Sequence, residues 1–118
     1  GLGDASAARA LVEEAIAAAR HRGTRTFEIE AHLVLGRVLI HAGARGEEVQ
    51  AALDAALSLV EETGAKGYLP FIHLERAALA GAAGDAAARA QELHAAHRLF
   101  TTMGAPIRAG QVARELAA

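Results

Sequence analysis

Three segments of this chain align without gaps, each closing on a glycine: Leu11 to Gly23, Ala52 to Gly64 and Glu92 to Gly104. The closing glycines stand 41 and 40 residues apart. In the alignment Val12, Leu53 and Leu93 share one column, and Ala15, Ala56 and Ala96 share another. A recurring small residue beside a recurring large aliphatic one lets neighbouring helices approach closely. A period of this length, holding two helices, is the signature of a helical repeat array in which each pair buries its face on the next. The expected fold is therefore all-α: an antiparallel helix-pair solenoid with about six helices in three repeats.

Composition agrees with helices. Hydrophobic residues make up 53% of the chain but aromatics only 3%, so alanine and aliphatic side chains dominate. Alanine loses no rotamer freedom in a helix, whereas strands favour β-branched and aromatic residues, and an all-β fold is excluded. At 118 residues the chain is the length of one domain, expected to span 1–118. Breakers place helices at Ala5 to Arg22, Arg25 to Ala42, Glu47 to Thr63, Tyr68 to Ala82, Ala86 to Met103 and Pro106 to Ala117. Residues 106–118 form the terminal capping helix. Asp4, Thr24 and Asp85 suit N-caps, and Pro70 and Pro106 suit first turns, where a missing amide hydrogen costs nothing.

The third helix shows one-sided burial through Val49, Leu53, Ala56 and Val60, with Glu47, Gln50, Asp54 and Glu61 opposite. The second helix carries two apolar stripes. Phe27, Ala31, Val34 and Val38 form one, Ile29, Leu33, Gly36 and Ile40 the other, so both flanks should be packed. Glu30, Arg37 and His41 remain as a narrow polar strip.

Several function classes drop out. Twelve Lys and Arg against fourteen Asp and Glu leave a formal net charge of −2, without the basic excess that drives counterion release on nucleic acid. Without cysteine there is no disulfide, thiolate metal site or cysteine nucleophile. Ile29 to Ala42, the most apolar run, is interrupted by Glu30, His32, Arg37 and His41, whereas a membrane span needs about 20 nearly unbroken apolar residues. The opening Gly-Leu-Gly-Asp has no secretory leader pattern, and without an initial Met the chain reads as a piece of something longer, or processed.

Candidate chemistry is sparse. His94 and His97, three apart on one predicted helix, invite a metal but lack a nearby third ligand motif. His32 and His73 stand 41 residues apart at equivalent repeat positions, which makes them interhelical packing histidines with satisfied ring nitrogens rather than a catalytic pair. Adjacent acids such as Glu13 and Glu14, or Glu61 and Glu62, diverge by about 100° on a helix and cannot face one substrate. Ser6 and Ser58, the only serines, have no nucleophile-elbow context. No catalytic, cofactor-binding or metal residue is assigned.

The run Leu35-Gly36-Arg37-Val38-Leu39-Ile40-His41-Ala42-Gly43 is similar to the first helix of a tetratricopeptide (TPR) repeat. The turn through Ala44 and Gly46 is longer than that family's, the period exceeds its roughly 34 residues, and Arg76-Ala77 replaces the Leu-Gly pair one repeat later. Val60 to Arg76, with Gly84-Asp85 and His97 to Pro106, resembles the C-terminal TPR-like region of large bacterial signalling ATPases. In those proteins an adenylate/guanylate cyclase domain or a LuxR-type DNA-binding domain accompanies a nucleotide-binding module. The resemblance implies a cytoplasmic, non-catalytic interaction or regulatory scaffold, partnered by a protein, a peptide or other domains of its own chain. It carries no phosphate loop, because no Gly-x-x-x-x-Gly-Lys-Ser/Thr is present. In TPR arrays the first helix of each pair lines the concave side. Glu30, Arg37 and His41, with Phe71 and Leu74 one repeat on, would then form a partner groove. The alternative is self-association, a homodimer through a first-helix face presenting Leu11 and Ile16, or less favourably a metalloprotein using His94 and His97.

Overall fold

Glycine punctuation sets the helix ends. The computed structural model describes the backbone of residues 2–118 and the side chains from Ala5 onward. Six α-helices follow one another: α1 (Leu2–Arg22), α2 (Arg25–His41), α3 (Gly46–Thr63), α4 (Leu69–Ala82), α5 (Ala86–Thr102) and α6 (Pro106–Ala117). A single 3₁₀ turn, Lys66–Tyr68, leads into α4. Among the described residues there is no strand, and no helix is long and apolar enough to cross a membrane.

The turn after α2 shows how the helices stop. Gly43 lies at φ 71°, its N–H donates to the Ile40 carbonyl, and the Ala44 N–H donates to Leu39. This pair of bonds satisfies carbonyls that the helix end would orphan, and it requires a left-handed residue where glycine carries no Cβ penalty. The same bonding recurs at Gly104, whose N–H donates to Thr101 while Ala105 donates to Phe100.

N-termini are less uniform. The Asp85 carboxylate accepts a hydrogen bond from the Ala88 N–H at 3.0 Å, as a cap should. Thr24 precedes α2, but its hydroxyl donates to the Ala19 carbonyl at the end of α1 and makes no cap bond. Helix α1 begins at Leu2, so Asp4 lies inside it instead of capping it, and the Asp4 side chain falls outside the described residues.

The chain divides into two compact units, one ending at Lys66 and the other running Gly67–Ala118. In the first, α2 packs against both α1 and α3. Ile29, Leu39, Val49, Leu53 and Ala56 are buried there, and the expected face of α3 is inward from Val49 to Val60. Helix α2 has no side chain at Gly36, where a Cβ would stand 2.9 Å from Leu53 Cδ2. Helices α2 and α3 thus approach closely at Gly36, a position outside the Ala15, Ala56 and Ala96 column.

In the second unit α5 packs against both α4 and α6. Its core joins Ala77, Leu93, Ala96, Phe100, Ala109 and Val112. Phe100 is almost wholly buried, which stabilises the fold by about 1.5–3 kcal/mol relative to an exposed ring.

Candidate functional site

The repeat columns are not equally covered. Leu53 and Ala56 on α3, and Leu93 and Ala96 on α5, are buried, but their counterparts Val12 and Ala15 on α1 are only half-buried. Helix α5 packs against α4 and α6, whereas α1 packs chiefly on α2 and reaches α3 through the Arg9–Glu48 ion pair at 3.1 Å. What remains beside α1 is an open apolar depression of about 310 Å³ between α1 and α2.

Its walls are Leu11, Val12 and Ala15 from α1 and Phe27, Ala31 and Val34 from α2, with Glu30 as the charged lining residue. Leu11 is 66% exposed, Phe27 60% and Val34 46%. This corrects the expectation for α2. Ile29 and Gly36 are buried as expected, but Phe27 and Val34 are not, because α1 and α3 cover two sides of the helix and nothing in the unit covers the third. Leu11 is exposed as expected of a first-helix face, whereas Ile16 is buried and contributes to the core.

The polar strip shares this uncovered side. Glu30, Arg37 and His41 are all exposed, and positions 27, 30, 34, 37 and 41 follow the 3,4 spacing that places residues on one helix face. The apolar companions of the strip within its own unit are therefore Phe27 and Val34. Phe71 and Leu74 are half-buried and pack against the core of the second unit. The Phe71 ring meets Phe100 edge-on at 5.4 Å, and the Arg108 guanidinium stands over it at 4.9 Å.

The two repeat-equivalent histidines diverge. His73 Nδ1 lies 2.7 Å from Glu92 Oε2, an interhelical bond between α4 and α5 as expected. His32 departs from that expectation: it is buried, its Nδ1 has no hydrogen-bond partner, and its Nε2 is 3.7 Å from Glu28 on its own helix. Burial holds the His32 imidazole below its ordinary pKa; the Glu28 carboxylate opposes that shift and Arg20 reinforces it. Glu28 is itself buried and accepts from Arg20 at 3.3 Å, a pairing across the α1–α2 turn that helical periodicity did not reveal.

His94 is exposed and His97 half-buried, and no group of three His, Asp or Glu side chains among the described residues converges as metal ligands need to. Glu13 pairs with Arg9 on the face of α1, and Glu62 with Arg25 across α2 and α3. No protein-family model matches the chain, no curated protein is similar to it, and no solved structure matches it.

Proposed function

We propose that this chain is a non-catalytic interaction module that docks a protein helix on the α1–α2 face. The observation that carries the reading is the depression beside Leu11, Phe27 and Val34, lined by Glu30, with Arg37 and His41 exposed further along α2. Three large apolar side chains exposed around one concavity, with charge along one edge, suit an amphipathic helix that lays its apolar stripe into a groove. Apolar contact would supply affinity and the charged edge would set orientation.

In the fuller form of this reading the helices stack as TPR-like pairs. The module then belongs to a cytoplasmic bacterial signalling ATPase with a cyclase or LuxR-type domain, coupling partner contact to the nucleotide-binding module. Support for that setting is the resemblance of Leu35 to Gly43, and of Val60 to Arg76 with Gly84-Asp85 and His97 to Pro106.

A photo-crosslinking amino acid at Phe27, used in cells of the source organism, tests the docking reading. Covalent adducts with polypeptide, abolished by Leu11→Glu in a chain whose helical circular dichroism is unchanged, are expected. Absence of any polypeptide adduct at Phe27 would refute it.

A further inference from the structure

Resting on that reading, we propose that the helix docked on the α1–α2 face is α2 of a second copy of this chain, running antiparallel to the first about a two-fold axis at Val34. The basis is the order of residues along the exposed side of α2. Phe27, Glu30, Val34, Arg37 and His41 form one strip, with the acid on one side of Val34 and the base on the other. At a rise of 1.5 Å per residue, Glu30 lies about 6 Å and Arg37 about 4.5 Å from Val34 along the axis. Reversing the strip about Val34 brings Glu30 of each copy level with Arg37 of the other, within about 1.5 Å along the helix.

A two-fold interface uses the same patch on both copies, so each contact occurs twice. Antiparallel pairing therefore yields two Glu30–Arg37 pairs, while a parallel pairing in register would set Glu30 against Glu30 and Arg37 against Arg37. The apolar residues follow the same symmetry. Val34 meets Val34 at the axis, flanked by Leu11 from each copy's α1, which lines the same depression. Phe27 comes level with His41. Glu30 and Arg37 also interact within their own chain, so dimerisation exchanges partners for these groups and the charges select register more than they add affinity.

The depression is also the place where the repeat columns are left partly uncovered. The equivalent columns on α3 and α5 are buried, those on α1 only half-buried. A second copy's α2 supplies a neighbour for Val12 and Ala15.

The absence of cysteine makes the test direct. Val34→Cys gives a chain with one thiol at the proposed axis, and Ser58→Cys gives one on the exposed side of α3. Sedimentation equilibrium should show twice the chain mass at high concentration, and a short bis-maleimide should join Val34→Cys chains but not Ser58→Cys chains. Glu30→Arg and Arg37→Glu should each weaken the dimer at least about tenfold, because each places like charges together twice. The double variant Glu30→Arg/Arg37→Glu should restore it. A monomer at every concentration, equal crosslinking at both thiols, or no recovery in the double variant would overturn the proposal. If the chain is monomeric yet Phe27 still forms adducts with other polypeptides, the second copy is wrong and the docking face stands; if neither occurs, both are wrong.

Discussion

Gly36→Ala and Gly110→Ala make the same chemical change in the interiors of α2 and α6, and only the second should stabilise the chain. In a helix interior glycine is about 0.8–1.0 kcal/mol less favourable than alanine, so each substitution begins with that gain. At Gly110 a Cβ meets nothing within 4 Å, and the gain should survive. At Gly36 the new methyl would stand 2.9 Å from Leu53 Cδ2, closer than carbon atoms tolerate, and Leu53 is fully buried, so its side chain must shift within the core. Overpacking of this kind costs about 1–3 kcal/mol, which cancels or exceeds the gain and leaves Gly36→Ala between neutral and about 2 kcal/mol less stable than the parent chain. Because helix propensity is common to both variants, their difference isolates the contact. It should be about 1–3 kcal/mol, or about 4–12 °C in melting temperature at roughly 4 °C per kcal/mol for a chain of this size. Thermal melts followed by circular dichroism at 222 nm read it, and amide hydrogen exchange in α2 and α6 assigns each change to its own unit. If Gly36→Ala melts at or above Gly110→Ala, Leu53 has space to move and the close α2–α3 approach is not what keeps position 36 free of a side chain.

Other consequences are shorter to state. Asp85→Ala removes a formed cap bond and should cost about 1 kcal/mol, whereas Thr24→Ala, which loses no cap bond, should cost less in the same urea titration. His32 has a folded-state pKa below its unfolded value of 6.5, so the unfolded chain takes up its proton first; stability is complete above pH 6.5 and declines progressively as pH falls toward the folded value. Urea midpoints should therefore drop between pH 7.5 and 5.5 by more in the parent chain than in His32→Gln, and equal drops would remove His32 as the cause. Phe100→Ala should destabilise the second unit by about 3–5 kcal/mol by emptying the site against Phe71, with loss of amide protection in α5 as the readout.

The helix boundaries were legible because their signals are local. Glycines at the helix ends, Pro70, Pro106 and Asp85 act within one turn, and no distant residue alters the bond that Gly43 or Gly104 makes. Burial on α3 was legible for a related reason: a single apolar stripe opposite charged residues leaves one face to turn inward. Helix α2 was harder. It carries two stripes with similar hydrophobicity, and the pattern does not state that Ile29 is buried while Phe27 lies at the surface. Periodicity counts apolar positions on a helix but not the neighbours available to cover them.

The candidate face was half visible in the same way. Glu30, Arg37 and His41 stood out as a strip, and Leu11 as an exposed position, but the meeting of Leu11 and Glu30 with Phe27 and Val34 around one depression depends on how α1 and α2 lie together. His32 and His73 make the same point at the level of single atoms. Equivalent by repeat, they have different surroundings because Glu92 comes from the next helix to bond His73, while His32 has only Glu28 within its own helix.

The all-helical character and the places where helices stop at glycines were settled by sequence alone, since left-handed glycine turns and alanine's helix preference operate within a few residues, whereas the start of α1 at Leu2 was not. Which apolar residues stay in water was decided by tertiary structure. Phe27 and Val34 are as hydrophobic as the residues of the core, but burial requires a second helix to remove their surface from water, and only the arrangement of α1, α2 and α3 determines that two sides of α2 receive one and the third does not.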